Sequence, residues 1–538
     1  MPQLPVADIV VLVAYILGVV GLGCYFVRKS RDTEHFMAAG RSLPGWAVGL
    51  SIFGTYLSSN TFIGYPGIAY GGTWNRFVFS LSLPLAAWIA VKWFVPFYRK
   101  SGEISAYHHL ERRFGPWARS YALACYLLMQ VARMGAVMFG VAIALDALTG
   151  WGMAPIIIAM GALVTLYTLL GGIEAVIWTD VAQSIVLVVG AVVVAVMLLV
   201  GMPGGPRTVL DTGLHFGKFS LGSFGPSLSE STFWVVLLYG IFANLKNFGI
   251  DQSFVQRYHA ARDEAAAGRS VWMAALLYIP ISLLFLFIGT CLFAYYQHPS
   301  NTRLIAEIKR DVAAERLAGE RDELGADAYA RKLDETAAGL GSKDIGDKVL
   351  PYFIVRKLPP GLAGLLFAAI FAAAMSSIDT SLNSSATVIL SDFYKRYLRP
   401  RAGERESMHV LHGATLAWGA VGTGVALAMI GQKSLLDAWW KLSGIFTGAI
   451  LGLFLLGFVV RRAGSIAALA GVAAGVALIA WMTFSRVVVT WLSRWPQLAD
   501  LAARLHCPFH HFLTSVFGST AIVLVGFLVS VAIARRRA

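Results

Sequence analysis

One apolar segment, residues 360–391, carries oxygen-bearing side chains at helical spacing. Two overlapping sets at positions i, i+3 and i+4 share one face of the predicted helix: Ala373, Ser376 and Ser377, then Ser376, Asp379 and Thr380. A small hard cation binds several oxygen ligands and takes neither thiolate nor imidazole. Tight helix packing would explain the small residues, but a carboxylate such as Asp379 inside an apolar span is a functional candidate. The pattern therefore predicts a cation site.

A second segment, Gly45 to Gly72, is long enough to cross a bilayer, yet glycine and hydroxyl residues interrupt it between Gly54 and Thr61. An unsatisfied backbone polar group costs several kcal/mol in hydrocarbon, so a broken helix persists only where it lines a site. Interrupted spans of this kind mark the midplane binding sites of secondary transporters. We expect carbonyl oxygens freed by this break to join the hydroxyls of residues 360–391 around the cation.

Three charged side chains lie inside other apolar segments and need partners. Asp180 stands about six residues into its span, roughly 9 Å deep, whereas Arg133 stands roughly 25 Å along its helix. This difference argues against an Arg133–Asp180 pair, and Lys246 matches the depth of Asp180 better. An arginine at the bilayer centre costs roughly 2.5–3.5 kcal/mol, so Arg133 requires an anion. Its planar fork suits a carboxylate, which belongs either to a transported solute or to a structural partner.

The amino-acid composition indicates a membrane protein. Of 538 residues, 57% are hydrophobic and only 14% are charged, which a soluble protein of this size could not bury. The net charge of +14 is explained by loop lysines and arginines at a membrane surface, and no nucleic-acid partner is expected. No GxxxxGK[ST] loop or GxSxG elbow occurs, so neither an ATP-driven pump nor a hydrolase is indicated. We predict a multi-pass protein of the inner (cell) membrane that is not an enzyme and has no obligatory protein partner.

Apolar runs of the length that a bilayer demands recur about thirteen times. They are 8–28, 44–70, 77–97, 116–148, 154–171, 174–201, 232–254, 270–296, 360–391, 409–431, 436–460, 464–484 and 511–534. Lysine and arginine concentrate in alternate connections, with Arg257 counted among them, while the opposite connections are nearly bare except for Arg76 and Lys433. The positive-inside rule then places the N-terminus outside and the C-terminus in the cytoplasm.

The span 232–254 is also interrupted, by Asn244, Lys246, Asn247, Asp251 and Gln252. Five spans separate the two breaks, so two five-helix units of opposite orientation are predicted. The predicted organisation is an extra N-terminal helix and cytoplasmic loop (1–43), a first repeat (44–201), an external loop (202–231), a second repeat (232–460) and two C-terminal helices (461–538). An external insert in the second repeat, 299–347, is rich in Ala, Glu and Arg and is predicted as a surface helix pair.

Four stretches resemble, in order, the signatures of the sodium:solute symporter family: FMAAGRSLPGWAVGLSIFGTYLSSNTFIG, GGIEAVIWTDVAQ, DQSFVQRY and AAIFAAAMSSIDTSLNSSATVILSDFYKRY. The resemblance implies an all-α leucine-transporter fold with inverted repeats and Na⁺ as the coupling ion. It implies a sodium site made of the carbonyls of Gly54, Leu57 and Ala373 and the hydroxyls of Ser376 and Ser377. A second ion site in some members maps to Asp180, Ser376, Asp379 and Thr380. Those members carry a hydroxyl where this chain has Asp379, so a tighter second ion, a proton or a Lys246 salt bridge all stay open there.

Within that family, the segment ARMGAVMF resembles the bacterial sialic-acid-type symporters, whose arginine meets the substrate carboxylate. The resemblance implies a solute pocket made of Tyr56, Ser58, Thr61, Ser80, Arg133, Asn244 and Asn247, with Phe248 as an aromatic gate. Tyr56 and Ser80 depart from the subgroup, which has a small hydroxyl and a longer amide at these positions, and Tyr56 would narrow the pocket.

The prediction is a sodium-coupled symporter of a small organic solute, either a carboxylate such as a sialic acid or a neutral sugar or polyol. A transporter-like ligand sensor and a channel or uniporter are the alternatives of other classes. The two broken helices favour coupled alternating access over a channel.

Overall fold

The computed structural model describes residues 5–28, 30–320, 325–430, 446 and 448–537, and their secondary structure is helical apart from one isolated β-bridge between Leu43 and Ala261. The first helices are α1 (Val6–Tyr25), α2 (Thr33–Ala38), α3 (Gly45–Tyr56), α4 (Ser59–Gly71), α5 (Phe77–Leu81), α6 (Leu83–Ile89), α7 (Val95–Ser101) and α8 (His108–Phe114). They are followed by α9 (Pro116–Thr149), α10 (Met153–Val200), α11 (Arg207–His215), α12 (Phe233–Ile250), α13 (Gln252–Ala260) and α14 (Glu264–Gln297). The remainder are α15 (Thr302–Arg316), α16 (Ala326–Gly339), α17 (Ser342–Lys357), α18 (Leu362–Val388), α19 (Glu404–Ala428), α20 (Gly448–Val459), α21 (Ser465–Leu492), α22 (Ala499–Leu505) and α23 (Leu513–Arg537).

Both predicted interruptions are confirmed. The chain leaves the helical conformation at Leu57 and Ser58, which separate α3 from α4, and at Asp251, which separates α12 from α13. The Asp251 carboxylate accepts the Ser253 N–H (3.0 Å) and so caps α13 as its N-terminal residue. Each interruption places free helix ends inside the protein, where they can bind ligands.

Ten helices within the described ranges are long and apolar enough to cross a membrane. The apolar runs 154–171 and 174–201 lie in the single helix α10, bent at Gly172, whose φ of 57° and ψ of −154° favour glycine. The two halves of the first broken segment, α3 and α4, fall below spanning length as separate helices, and residues 436–445 and 447 of one expected span lie outside the described residues. The count of thirteen crossings and the orientation of the termini stay predictions.

The bundle surrounds the first break. α3 packs against α10 and α14, α4 against α14 and α17, and α18 against α9 and α10. The insert forms α15 and α16 as a helix pair, and α17 then returns to the bundle. Gly67 and Gly346 let α17 and α4 touch backbone to backbone, since a Cβ on Gly346 would lie 2.6 Å from the Gly67 carbonyl oxygen.

Candidate functional site

Backbone and hydroxyl oxygens converge where α3 ends beside α18. The Ser376 hydroxyl lies 3.2 Å from the Gly54 carbonyl oxygen and 3.3 Å from the Ala373 carbonyl oxygen. The Ser377 hydroxyl lies 3.3 Å from the same Ala373 oxygen, and all four residues are buried. The structure thus brings together the predicted sodium ligands other than Leu57. Clustered neutral oxygens without sulfur or imidazole are the ligand set that a hard cation prefers.

Leu57 stands in the break itself. Its backbone is extended (φ −85°, ψ 102°), and the Thr61 N–H that would bond its carbonyl in a continuous helix bonds the Ser58 carbonyl instead, at 2.8 Å. The Leu57 carbonyl is therefore released from the helical hydrogen-bond pattern and free to bind an ion. The negative end of the α3 dipole lies at this cluster and favours a cation there.

Gly54 allows α3 to approach α10 closely enough to form the cluster. A Cβ atom at this position would lie 2.5 Å from the Ser184 Oγ, and that hydroxyl is held by a 3.1 Å hydrogen bond to the Leu50 carbonyl. A larger residue would separate the two helices and move the Gly54 carbonyl away from Ser376.

A buried ion pair lies one turn further along α18. Arg257 on α13 donates hydrogen bonds to the Asp180 carboxylate on α10 (2.8 Å) and to the Thr380 hydroxyl on α18 (2.7 Å). Its other nitrogens donate to the Ser51 hydroxyl on α3 (2.7 Å) and the Ser253 carbonyl (2.7 Å), and Ser51 donates to Asp180 (2.6 Å). One guanidinium therefore connects four helices around the two breaks.

Two predictions about these charges are wrong. Asp180 does not pair with Lys246, because Lys246 Nζ lies 2.6 Å from Asp251, the acid at the second break. Arg257 is not a cytoplasmic loop charge, because α13 continues to Ala260 and the Arg257 side chain is only 1% exposed. The depth of a residue along a helix does not determine which neighbouring helix its side chain faces. At the second break, the Lys246 side chain lies against Asp251 of the same segment.

Asp379 lies in the same region with different partners. The Tyr167 hydroxyl donates to its carboxylate (2.6 Å), as does the Thr380 N–H (2.5 Å). No basic side chain of the described residues pairs with Asp379, and Asp180 Oδ1 is buried without a hydrogen-bond partner. One guanidinium can balance only one of these two carboxylates, so the other must bind a proton or lie beside a further cation. Among the predicted second-site residues, Arg257 bridges Asp180 and Thr380, and Asp379 follows directly before Thr380 on α18.

A cavity of about 440 Å³ opens at the first break. Its walls come from α3, α4, α9, α12, α13, α14 and the turn before α5. The polar and basic side chains that line the cavity include those of Tyr56, Ser58, Thr61, Tyr65, Arg76, Arg133, Tyr239, Lys246, Asn247 and Tyr278. The size and the many hydrogen-bond donors suit a small polar molecule.

Arg133 lines this cavity from α9. One of its terminal nitrogens donates to the Thr55 carbonyl at the end of α3 (2.8 Å), which fixes the side chain at the break. A guanidinium has five N–H donors, so this contact leaves most of them available. Within the described residues no carboxylate forms an ion pair with Arg133, although it lines a cavity deep in the bundle. The arrangement can receive an anion.

Tyr56 lines the cavity at the end of α3. Its hydroxyl donates to Asn244 (2.5 Å) and accepts from the Asn247 amide (3.0 Å), and its ring packs at 5.4 Å from Phe248 and 5.3 Å from Tyr278. Both asparagines are thus connected to the broken helix α3 through one phenol.

Three predicted solute contacts do not line the cavity. Ser80 and Asn244 are completely buried, and Asn244 donates to Ser82 (2.9 Å) behind the wall. Phe248 is also fully buried and lies under the Tyr56 ring, so in this conformation it supports the wall and does not close it. The helix break lies at Asp251, three residues after Phe248.

Two residues of the site escaped prediction. Arg257 stands four residues after Ser253 on the polar face that begins at Asp251, and this periodicity could have kept it inside the protein. Arg76 lies in a connection between two apolar segments. The only feature of the sequence that singles it out is that the connections on the same predicted side of the membrane carry almost no other charge.

Comparison with known proteins settles the family. The model of the sodium:solute symporter family matches residues 36–318 and 322–475. The chain belongs to the sodium:solute symporter family. It is therefore a multi-pass membrane transporter and not an enzyme, and sodium is its coupling ion.

Several sequence relatives align over nearly the whole chain. The sodium/sialic acid symporter NanT of Aliivibrio fischeri is 31% identical, with 96% of this chain and 92% of that protein covered. The sodium/sialic acid symporter SiaT of Proteus mirabilis is also 31% identical, with 96% and 93% covered. The human sodium-coupled monocarboxylate transporter 1 is 27% identical, with 93% and 76% covered.

Solved structures agree with the fold. A Na⁺-coupled sialic acid symporter, solved in a substrate-bound outward-open state with a novel Na⁺ site, superposes with a TM-score of 0.80 at 29% identity, covering 97% of each chain. Mhp1, a nucleobase-cation-symport-1 family transporter in a closed conformation, gives a TM-score of 0.52 at 16% identity, over 93% of this chain and 95% of Mhp1. These two superpositions confirm the overall leucine-transporter-like architecture.

Proposed function

We propose that this symporter imports a small organic carboxylate together with sodium by alternating access, with a sialic acid as the first candidate. The observation that carries the proposal is Arg133, which lines the cavity and has no acidic partner among the described residues. A half-buried guanidinium without an anion is unfavourable, and a carboxylate would form two parallel charge-assisted hydrogen bonds with it. The names of NanT, SiaT and the human relative all denote carriers of carboxylates, which supports the same class.

The coupling ion binds, on this proposal, to the carbonyls of Gly54, Leu57 and Ala373 and the hydroxyls of Ser376 and Ser377. These oxygens belong to α3 and α18, and α3 also contributes Tyr56 to the solute cavity. Sodium would thus fix the end of α3 and the wall next to it. Solute affinity then depends on sodium because one helix end serves both sites.

A second sodium would bind beside the free oxygen of Asp180 and the Asp379 carboxylate, with the hydroxyls of Ser376 and Thr380 nearby. Two observations support the proposal: Asp180 Oδ1 is buried without a hydrogen-bond partner, and no basic side chain of the described residues pairs with Asp379. Arg257 already neutralises one of the two carboxylates.

Alternating access requires the predicted arrangement of the two repeats, 44–201 and 232–460, in opposite orientations. The two breaks, at Leu57 and Asp251, support it because they stand at corresponding places in the two halves. The N-terminus would lie outside, the C-terminus in the cytoplasm, and the 299–347 insert outside.

The test is uptake into proteoliposomes that contain the purified chain. A panel of sialic acids, short monocarboxylates, sugars and proline is offered with an inward sodium gradient, and a potassium gradient serves as the control. We expect sodium-dependent uptake of at least one carboxylate and none of neutral hexoses. Uptake of hexoses alone would refute the carboxylate assignment and leave the neutral-sugar or polyol alternative, which the hydroxyl groups of the cavity wall would serve. Sodium-dependent binding without uptake of any panel member would favour the ligand sensor.

A further inference from the structure

We propose that the transported solute is a dianion, with one acidic group on Arg133 and a second, carboxylate or phosphate, on Arg76. This inference rests on the proposed carboxylate transport, adds the second acidic group, and replaces a sialic acid, which has a single carboxylate, by a diacid as the first candidate. It starts from the charge of the cavity wall. The described lining includes three basic residues, Arg76, Arg133 and Lys246, and no acidic one.

Lys246 is neutralised within the protein, because its Nζ lies 2.6 Å from the Asp251 carboxylate. Arg76 and Arg133 have no such partner. Among the described residues, neither forms an ion pair with a carboxylate, and Arg76 donates no hydrogen bond to a protein group. Two positive charges therefore remain on one cavity of about 440 Å³.

The packing of Arg76 leaves its donors available. Its guanidinium carbon lies 4.5 Å above the ring centre of Phe512, and Phe512 stacks on Tyr239 at 4.7 Å with an angle of 14° between the rings. A guanidinium held over an aromatic face by cation–π attraction uses none of its N–H donors in that contact. These donors can therefore form a bidentate contact with a carboxylate or a phosphate oxygen pair.

The two guanidiniums lie at opposite ends of α4. Arg133 bonds the Thr55 carbonyl just before α4 begins, whereas Arg76 ends the turn that follows α4. The helix has 13 residues, so its ends are about 20 Å apart before side-chain reach is subtracted. The cavity between them is lined by donors, among them Ser58, Thr61 and Asn247. A solute with acidic groups at both ends of a hydroxylated or carbonyl-bearing skeleton matches this distribution.

The experiment measures binding to the purified full-length chain in detergent, by tryptophan fluorescence titration and thermal shift, in sodium and in potassium. The probes are succinate, glutarate, adipate and suberate, each compared with the monocarboxylate of the same carbon number. The variants are Arg76→Gln and Arg133→Gln. The control is Arg207→Gln, which removes an equal charge from a side chain that is 89% exposed on α11.

In sodium, the wild type should bind one diacid at least about tenfold more tightly than its matched monoacid, because a second charge-assisted contact forms. Arg76→Gln should remove that preference and leave monoacid affinity within about twofold, while Arg133→Gln weakens both acids. Arg207→Gln should behave as the wild type.

Equal wild-type affinity for every diacid and its monoacid would overturn the inference and leave the monocarboxylate proposal standing. So would an Arg76→Gln variant that weakens both acids alike, since Arg76 would then act only as a general charge at the cavity. If the wild type binds no carboxylate at all in sodium, the proposed function itself fails, which is a separate and recognisable result.

Discussion

The Arg257 guanidinium lies 2.8 Å from the Asp180 carboxylate in a completely buried ion pair that joins α13 to α10. The same nitrogen reaches the Thr380 hydroxyl on α18 at 2.7 Å, and a neighbouring one reaches Ser51 on α3. The pair therefore sits where the two interrupted helices meet α10 and α18, next to the predicted sodium ligands. A change in the relative position of these helices must break or rebuild this network.

Asp180→Asn should destabilise the protein and slow transport. It leaves the Arg257 charge buried without its counter-ion, which costs about 3–5 kcal/mol. The melting temperature in detergent and the initial rate of uptake measure the two effects. The double variant Asp180→Asn/Arg257→Gln should recover part of the stability, because no unpaired charge remains. A single variant with wild-type melting temperature and rate would show that the pair is not needed.

Ser377→Ala should raise the sodium concentration needed for half-maximal uptake. A hydroxyl that contacts a charged partner contributes about 1.5–3 kcal/mol, which corresponds to about tenfold or more in affinity. The matched control is Ser385→Ala, two turns later on α18, whose hydroxyl is equally buried but has no hydrogen-bond partner. An unchanged sodium requirement in Ser377→Ala, with normal expression, would remove this serine from the sodium site.

Asp379→Ser tests the second sodium. The substitution removes the negative charge that Arg257 does not compensate but keeps an oxygen on α18 beside Tyr167. We expect the Hill slope for sodium-dependent uptake to fall toward one, while the Ser377-dependent site still binds. If the wild type already shows a slope of one and Asp379→Ser transports at the same rate, Asp379 binds no ion.

The main elements of the site could be predicted because their physical reasons are local. A glycine and hydroxyl run inside a bilayer-length segment is difficult to explain except by a break, and Ala373, Ser376 and Ser377 share a face by helical spacing alone. The structure places Gly54 against Ser376 as this reasoning requires. The predictions that depended on the spacing of residues within one helix, or within adjacent turns, are the ones that the structure supports.

The partners of buried charges could not be predicted, because they depend on how helices rotate about their axes. Lys246 turns toward Asp251, five residues later in the chain, and Arg257 reaches Asp180 across the bundle. Depth along a span is the same for every rotation, so it cannot separate these choices. Arg76 escaped for a related reason, since only the fold shows that the turn after α4 faces the cavity.

Lys218 should stabilise α4, the second half of the first broken helix, in a pH-dependent way. Its ammonium donates to the Tyr70 carbonyl at the C-terminal end of α4 (2.6 Å) and lies 3.6 Å from the Phe293 ring centre. Burial lowers the pKa of Lys218 from 10.5 to about 8. Lys218→Met removes the hydrogen bond to Tyr70, but it also removes the cost of burying the ammonium charge, so wild type and variant should differ little in stability near pH 7.

The sign of the pH effect follows from proton binding. Between pH 8 and 10.5 the unfolded chain holds the Lys218 proton while the folded protein releases it, so the stability that depends on Lys218 increases with pH. The stability difference between wild type and Lys218→Met should therefore grow above pH 8 in thermal melts. Lys343→Met, at an exposed position near Gly71, is the control and should show no such trend. A difference that stays constant across this range would contradict the prediction.

Arg133→Lys should lose much of the affinity for an acid although it keeps the charge. Lysine cannot present the planar pair of N–H donors, so a bidentate contact becomes a single one, and its shorter reach to the Thr55 carbonyl no longer fixes the side chain at the break. We expect affinity to fall at least about tenfold, measured as inhibition of sodium-dependent uptake.

The decisive comparison uses a transported acid and its amide. The wild type should prefer the acid strongly, Arg133→Lys should keep part of this preference because the charge remains, and Arg133→Ala should erase it. The melting temperature reports separately on folding, because Arg133 holds Thr55, the neighbour of the proposed sodium ligand Gly54, and sodium affinity can change together with solute affinity. If Arg133→Ala keeps the full preference for the acid, the guanidinium serves only to hold the end of α3 through Thr55, and the carboxylate must be recognised elsewhere on the cavity wall.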